Sequence, residues 1–238
     1  MYVEGELMRS FLLALPLMLV IAPAAEGATR SYGITNFTKV RVEGPFKVML
    51  VTGVPPYARA SGSPTAMDRV AVEVRGDTLV IRTDPSAWGG YPGVDPGPVE
   101  ISVGTHDLAN ASLNGSGSLD ISRVSGLSFA LAVQGSGAAR INEVAADQMD
   151  VSLAGTASAK LAGRTKRLTA VVRGLSALDA AKLSTPGGHI SAEGSATIDA
   201  AIAESAQVDA TGPATIRFTG RPSCELHVSG SASVSGCK

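Results

Sequence analysis

Aromatic residues are scarce in this 238-residue chain: 4% in all, with one tryptophan, four tyrosines and five phenylalanines. A bulky aromatic core is therefore excluded, and so is a surface that stacks sugars or bases along its whole length. Charge of one sign is missing too, because 20 Lys and Arg stand against 21 Asp and Glu. Without a basic excess the chain has no electrostatic footprint for nucleic acid. There are only two cysteines, Cys224 and Cys237. Two thiols cannot build a structural metal site without help, but in an oxidising compartment a closely spaced pair is expected to form a disulfide. No metal or other cofactor is expected. What the chain does hold is 27 glycines and 45% hydrophobic residues, with charged residues at only 17%. That balance is too apolar for disorder and points to thin aliphatic layers turned by glycine.

The N-terminus reads as a secretory signal over residues 1–24, followed by a short linker over 25–34. Arg9 precedes the apolar run Phe11–Ala25, and Ala22-Pro23-Ala24 supplies small residues for cleavage after Ala24 or nearby. Met8 is an alternative start. The run is about 22 Å long as a helix, short of the roughly 30 Å hydrocarbon core, and Pro16 and Pro23 weaken it as a span. No transmembrane anchor is expected once the signal is removed. The expected location is the periplasm, the cell envelope or the outside of a bacterial cell.

The informative signal is a repeat. Glycines recur at Gly115, Gly135, Gly155, Gly174, Gly194, Gly212 and Gly230, at intervals of 18–20 residues. Positions two and four before each glycine, and four after it, are apolar in every repeat (Leu113, Val133 and Leu153; Ala111, Leu131 and Val151; Leu119, Ala139 and Ala159). Position six after the glycine is apolar until Gly236 breaks the column. Period-two alternation on both sides of a glycine describes two short strands joined by a tight corner. A unit this small cannot bury its face alone, but stacked coils can. The expected fold is an all-β, right-handed parallel β-helix, or β-solenoid, with about seven C-terminal coils over residues 106–238. Residues 35–105 read as less regular strands of the same single domain, with Gly76-Asp77 as a hairpin turn.

If coils stack in register, the residues five after each glycine form an outward ladder. Asp120 would then face Arg140, Lys160 face Asp179, and Asp199 face Arg217, while Arg173 meets Glu193. The like-charged neighbours Arg140–Lys160 and Asp179–Asp199 are the cost. Such a ladder is expected to use the carboxylates of Asp179 and Asp199 in ion pairs, in preference to hydrolysis. His106, His189 and His227 read as surface histidines. Cys224 and Cys237 flank the last corner, where their disulfide would close the final coil. In the loop Asp84–Pro98, Trp88 and Tyr91 flank Gly89-Gly90 and are the candidate ligand residues.

The opening Phe37, Val40, Val42, Gly44, Phe46 and Val48, the strand ending Leu79-Val80-Ile81, and the later Gly-Ser-Gly turns occur in this order. Together they resemble the GIN head domain of the "putative autotransporter adhesins", a domain-of-unknown-function family. The resemblance implies an exported β-helix with an adhesin-like role and transfers no functional residues. The function expected is therefore a non-catalytic binding module of the envelope or secreted space, its partner an envelope glycan or protein. Two alternatives stay open: a structural solenoid that self-associates, and a polysaccharide-active β-helix enzyme. When the chain is expressed in a bacterial host, N-terminal sequencing of the exported product should begin at Ala25 or within a few residues of it. A product retaining the Phe11–Ala25 run would contradict the signal assignment.

Overall fold

In a computed structural model, which describes residues 28–84 and 97–238, the chain is almost entirely β. Ahead of the repeat lie β1 (Ala28–Tyr32), β2 (Lys39–Glu43), β3 (Lys47–Thr52), β4 (Tyr57–Gly62), a four-residue helix α1 (Pro64–Met67), β5 (Val70–Arg75), β6 (Thr78–Thr83) and β7 (Glu100–Thr105). The repeat follows as β8 (Asn110–Gly115), β9 (Ser118–Gly135), β10 (Ala138–Gly155), β11 (Ser158–Gly174), β12 (Ala177–Glu193), β13 (Thr197–Thr211), β14 (Thr215–Phe218), β15 (Ser223–Ser229) and β16 (Ser233–Ser235). The signal segment 1–24 and the loop residues Trp88 and Tyr91 lie outside the described residues.

From β8 onward the chain is a parallel β-solenoid. Each long strand crosses a bend, so its first part pairs on one face of the rod and its last part on another. Leu119, Ala139 and Ala159 are register partners on the first face, and Leu113, Val133 and Leu153 on the second. All six are 4% exposed or less. The seven glycine corners bound six full turns.

Those corners explain the repeat's strictest residue. Gly155 has φ +95°, and a Cβ there would lie 2.6 Å from the carbonyl oxygen of Gly135 in the coil before. No L-side chain tolerates both demands. The close approach lets the corners bond coil to coil: the Thr156 amide donates to Gly135 O at 2.8 Å and the Leu175 amide to Gly155 O at 2.8 Å.

Residues 35–105 are more regular in space than along the chain. Strand β2 pairs in parallel with β6 on one side and β8 on the other, and β3 lies between β7 and β9. Hence β2–β3 is a full rung, inserted between the later β6–β7 rung and the β8–β9 rung. Gly44 (φ +124°) is its corner, and a Cβ on Gly115 would meet the Gly44 backbone at 3.2 Å. Val40, Val42, Val48 and Leu50 occupy the same columns as Ala111, Leu113, Leu119 and Ile121. The frame thus extends to an eighth corner, hidden in the sequence because its nearest neighbours in space lie far along the chain.

The N-terminal end of the rod is covered. Strand β5 pairs antiparallel with β6, turning at Gly76-Asp77 as the sequence suggests. On the other face β4 pairs antiparallel with β7, and β1, formed by part of the expected linker, pairs antiparallel with β4. Helix α1 buries Ala66 and Met67 against this end, and Arg30 clamps β1 to Asp68 at 2.6 Å. On β5, the guanidiniums of Arg82 and then Arg75 donate to Glu73 and hold its carboxyl below the usual carboxylate range.

A corner substitution tests this packing. Gly155→Ala should cost about 2–5 kcal/mol, combining left-handed strain with overpacking. Gly53→Ala, at φ +77° with nothing within 4 Å, should cost only about 1–2 kcal/mol. Thermal melts of the two variants should separate by several degrees, and equal losses would contradict corner stacking.

Candidate functional site

The outward ladder sits where the frame places it. Arg140 reaches Asp120 at 3.7 Å, Lys160 reaches Asp179 at 3.7 Å, and Arg217 reaches Asp199 at 3.4 Å. Arg173 meets Glu193 at 2.9 Å. All these groups are substantially exposed, so each pair contributes only about 0.2–1 kcal/mol and acts mainly on register. The like-charged neighbours are present as well: Arg140 pairs in register with Lys160, and Asp179 with Asp199. Each of the four turns to an opposite charge on its far side. Asp179 and Asp199 are therefore adjacent carboxylates, each with its own cation.

The histidines behave differently from isolated surface groups. His189 and His227 are two rungs apart, and Asp209 on the rung between them receives both, at 3.5 and 3.4 Å. Among the described residues no set of three or more His, Cys, Asp or Glu is arranged to hold a metal ion.

Cys224 and Cys237 are joined in a disulfide, with Cα atoms 5.8 Å apart and a sequence separation of 13. Both pack against the edge of the core. The Lys238 amide donates to Pro222 O at 3.0 Å beside the bridge. The bond thus ties the chain end across the last rung.

The sequence reading missed one surface. Extending the frame to Gly44 puts Met49 and Val51 on the outside of β3, with Met49 at the position where other rungs carry Asp120, Arg140 or Lys160. They are 40% and 38% exposed, on a fold whose other aliphatics are mostly buried. Beside them the outward residues Ser118, Ala138 and Ser158 stack in register and are small. The result is a groove of about 550 Å³ across the outer face of β3 and the first parts of β9, β10 and β11. Arg140 and Lys160 stand along it, and Lys47 at its end pairs with Glu100 at 2.6 Å. It has an apolar end, a floor of small hydroxyl and methyl groups, and a charged side where Arg140 and Lys160 stand with the carboxylate of Asp120. Such a surface suits binding. The missing signal was in the chain all along: a Met in a column that is otherwise charged or serine.

Comparison with known proteins agrees with this architecture. The family model described as "Putative auto-transporter adhesin, head GIN domain" matches residues 36–222. A crystal structure of a "putative adhesin" from Bacteroides fragilis is similar, with a TM-score of 0.77 at 19% identity, covering 89% of this chain and 97% of that one. A "putative lipid binding protein" from Parabacteroides distasonis has a TM-score of 0.70 at 20% identity, over 88% and 96%. A "putative adhesin" from Parabacteroides merdae has a TM-score of 0.65 at 15% identity, over 88% and 95%. At these identities the likeness is one of fold. No curated protein sequence matches the chain.

Proposed function

The chain belongs to the family described as "Putative auto-transporter adhesin, head GIN domain", and from that premise we propose that it is an exported, non-catalytic binding module of the cell envelope or secreted space. On this reading residues 1–24 are a cleaved signal and residues 35–238 a single solenoid domain. Export is supported by family membership and by the Cys224–Cys237 disulfide, which persists in oxidising compartments. Among the described residues no helix is long and apolar enough to cross a membrane.

The observation that carries the binding role is the groove beside Met49 and Val51. A rigid rod holds it, so a ligand meets side chains already in place, at little ordering cost. The chemistry fits an amphipathic ligand, its apolar portion on Met49 and Val51 and its polar groups on the charged side formed by Asp120, Arg140 and Lys160. The name of the Parabacteroides distasonis neighbour, a "putative lipid binding protein", is in keeping with an amphipathic ligand, and the adhesin names with an envelope surface. Trp88 and Tyr91 are proposed as a second contact, in a loop that can stack on a sugar ring.

Pull-down of purified bacterial envelope fragments tests the groove. Replacing Met49 and Val51 together by Glu should leave the melting temperature near wild type, because both side chains are half exposed, and should weaken capture about tenfold, or roughly 1.4 kcal/mol. Undiminished capture would contradict the groove as the site. Trp88→Ala, read on a glycan array, should separately lower any carbohydrate signal.

A further inference from the structure

The two ends of the rod are unlike. At the N-terminal end, β5 covers β6, β4 and β1 extend the other face, and α1 seals the core. Of the two edge strands there, β1 presents Thr29, Arg30 and Ser31, all exposed, and no large aliphatic residue, and β5 buries Val70 and packs Val72 and Val74 against the core. At the C-terminal end nothing comparable is found among the described residues. Strand β15 pairs only with β13, and β16 only with β14.

The consequence is visible in two interior columns. Leu131, Val151, Ile190 and Val208 are 3% exposed or less, yet Leu226, next in that column, is 46% exposed. Val133, Leu153 and Val172 are 0% exposed, yet Val228 in the same column is 42% exposed. These two side chains point into the rod and lack the next rung. Beside them runs a seven-residue strand edge with no strand against it. A free edge with aliphatics on its core side is a template for another strand.

We propose that this end pairs with the same end of a second copy, β15 against β15 antiparallel, giving a closed head-to-head dimer. A head-to-tail filament is disfavoured, because at the opposite end the edge strands are β1, which is polar, and β5, whose Val72 and Val74 already pack against the core and are interrupted by the charged Glu73 and Arg75. A twofold axis normal to the sheet keeps core-side residues on the core side, so only every other register is allowed. The register centred on Leu226 sets Leu226 against its twin, Cys224 against Val228, and Glu225 against His227, twice. The registers centred on Glu225 or His227 would oppose like groups. The outward residues of β15 therefore select one pairing. The surface is small, which places the dimer among weak associations.

Sedimentation equilibrium of the mature, disulfide-intact protein tests this, over a series reaching about 1 mM, as a small interface requires. The expected result is a monomer–dimer equilibrium with no larger species. Leu226→Asp with Val228→Asp should raise the dimer dissociation constant at least about tenfold. In case that variant frays the last rung, a charge substitution gives an independent readout. Glu225→His should weaken the dimer, because it sets His against His227 at both contacts while leaving the Asp209–His227 contact within the monomer in place. In amide exchange, β15 should be fast in dilute protein and slow in concentrated protein. A chain that stays monomeric throughout, species growing beyond the dimer, β15 protected already in the monomer by another part of the chain, or an undiminished dimer in Glu225→His would each overturn the proposal.

Discussion

In-register stacking of one glycine corner on the next is the constraint from which the rest follows. Coils about 4.8 Å apart can pass the corner only if the backbone adopts a positive φ with no side chain between rungs. Gly115, Gly135, Gly155 and their successors satisfy both demands. With the corners fixed, every other position acquires a column. Aliphatic columns become the core, and the charged column becomes a ladder in which Asp120 pairs with Arg140 and Lys160 with Asp179, enough to hold register. A one-residue slip would turn the aliphatics outward and break each pair at once.

The repeated part was legible because the interactions that fix it join positions 18–20 residues apart, where a periodicity in the chain reports a neighbour in space. The interior columns, the four cross-rung ion pairs and the closing disulfide could all be placed by counting from a glycine. The inserted rung was not legible in the same way. Lys39–Thr52 obeys the frame around Gly44, yet its partners are Thr78–Thr83, Glu100–Thr105 and the β8–β9 rung. No interval along the chain links them. The sharing of Asp209 by two histidines was also hidden, because His189 reaches it along a diagonal and not within its own column.

The candidate surfaces lie where the repeat is broken. A perfect solenoid presents the same face at every rung and has little to distinguish one ligand from another. The groove exists because the inserted rung brings Met49 to a column of charges, with Val51 next along the outside of β3, and because Ser118, Ala138 and Ser158 leave room beside them. The open end exists because the columns run out at Leu226 and Val228. Binding energy at either place would come from side chains that the stack would otherwise bury or replace.

The arrangement of the inserted rung can be measured by cysteine cross-linking on the outer face. Met49 is the register partner of Ser102 on one side and of Asp120 on the other. Cysteines at 49 and 102, or at 49 and 120, therefore stand one rung apart, within the 4.4–6.8 Å Cα range of a disulfide, whereas cysteines at 102 and 120 are about 9.6 Å apart and out of reach. Mild oxidation should link the first two pairs and leave the third free. A bond between positions 102 and 120, with none between 49 and 120, would show that the rungs follow chain order and that the stack described here is wrong.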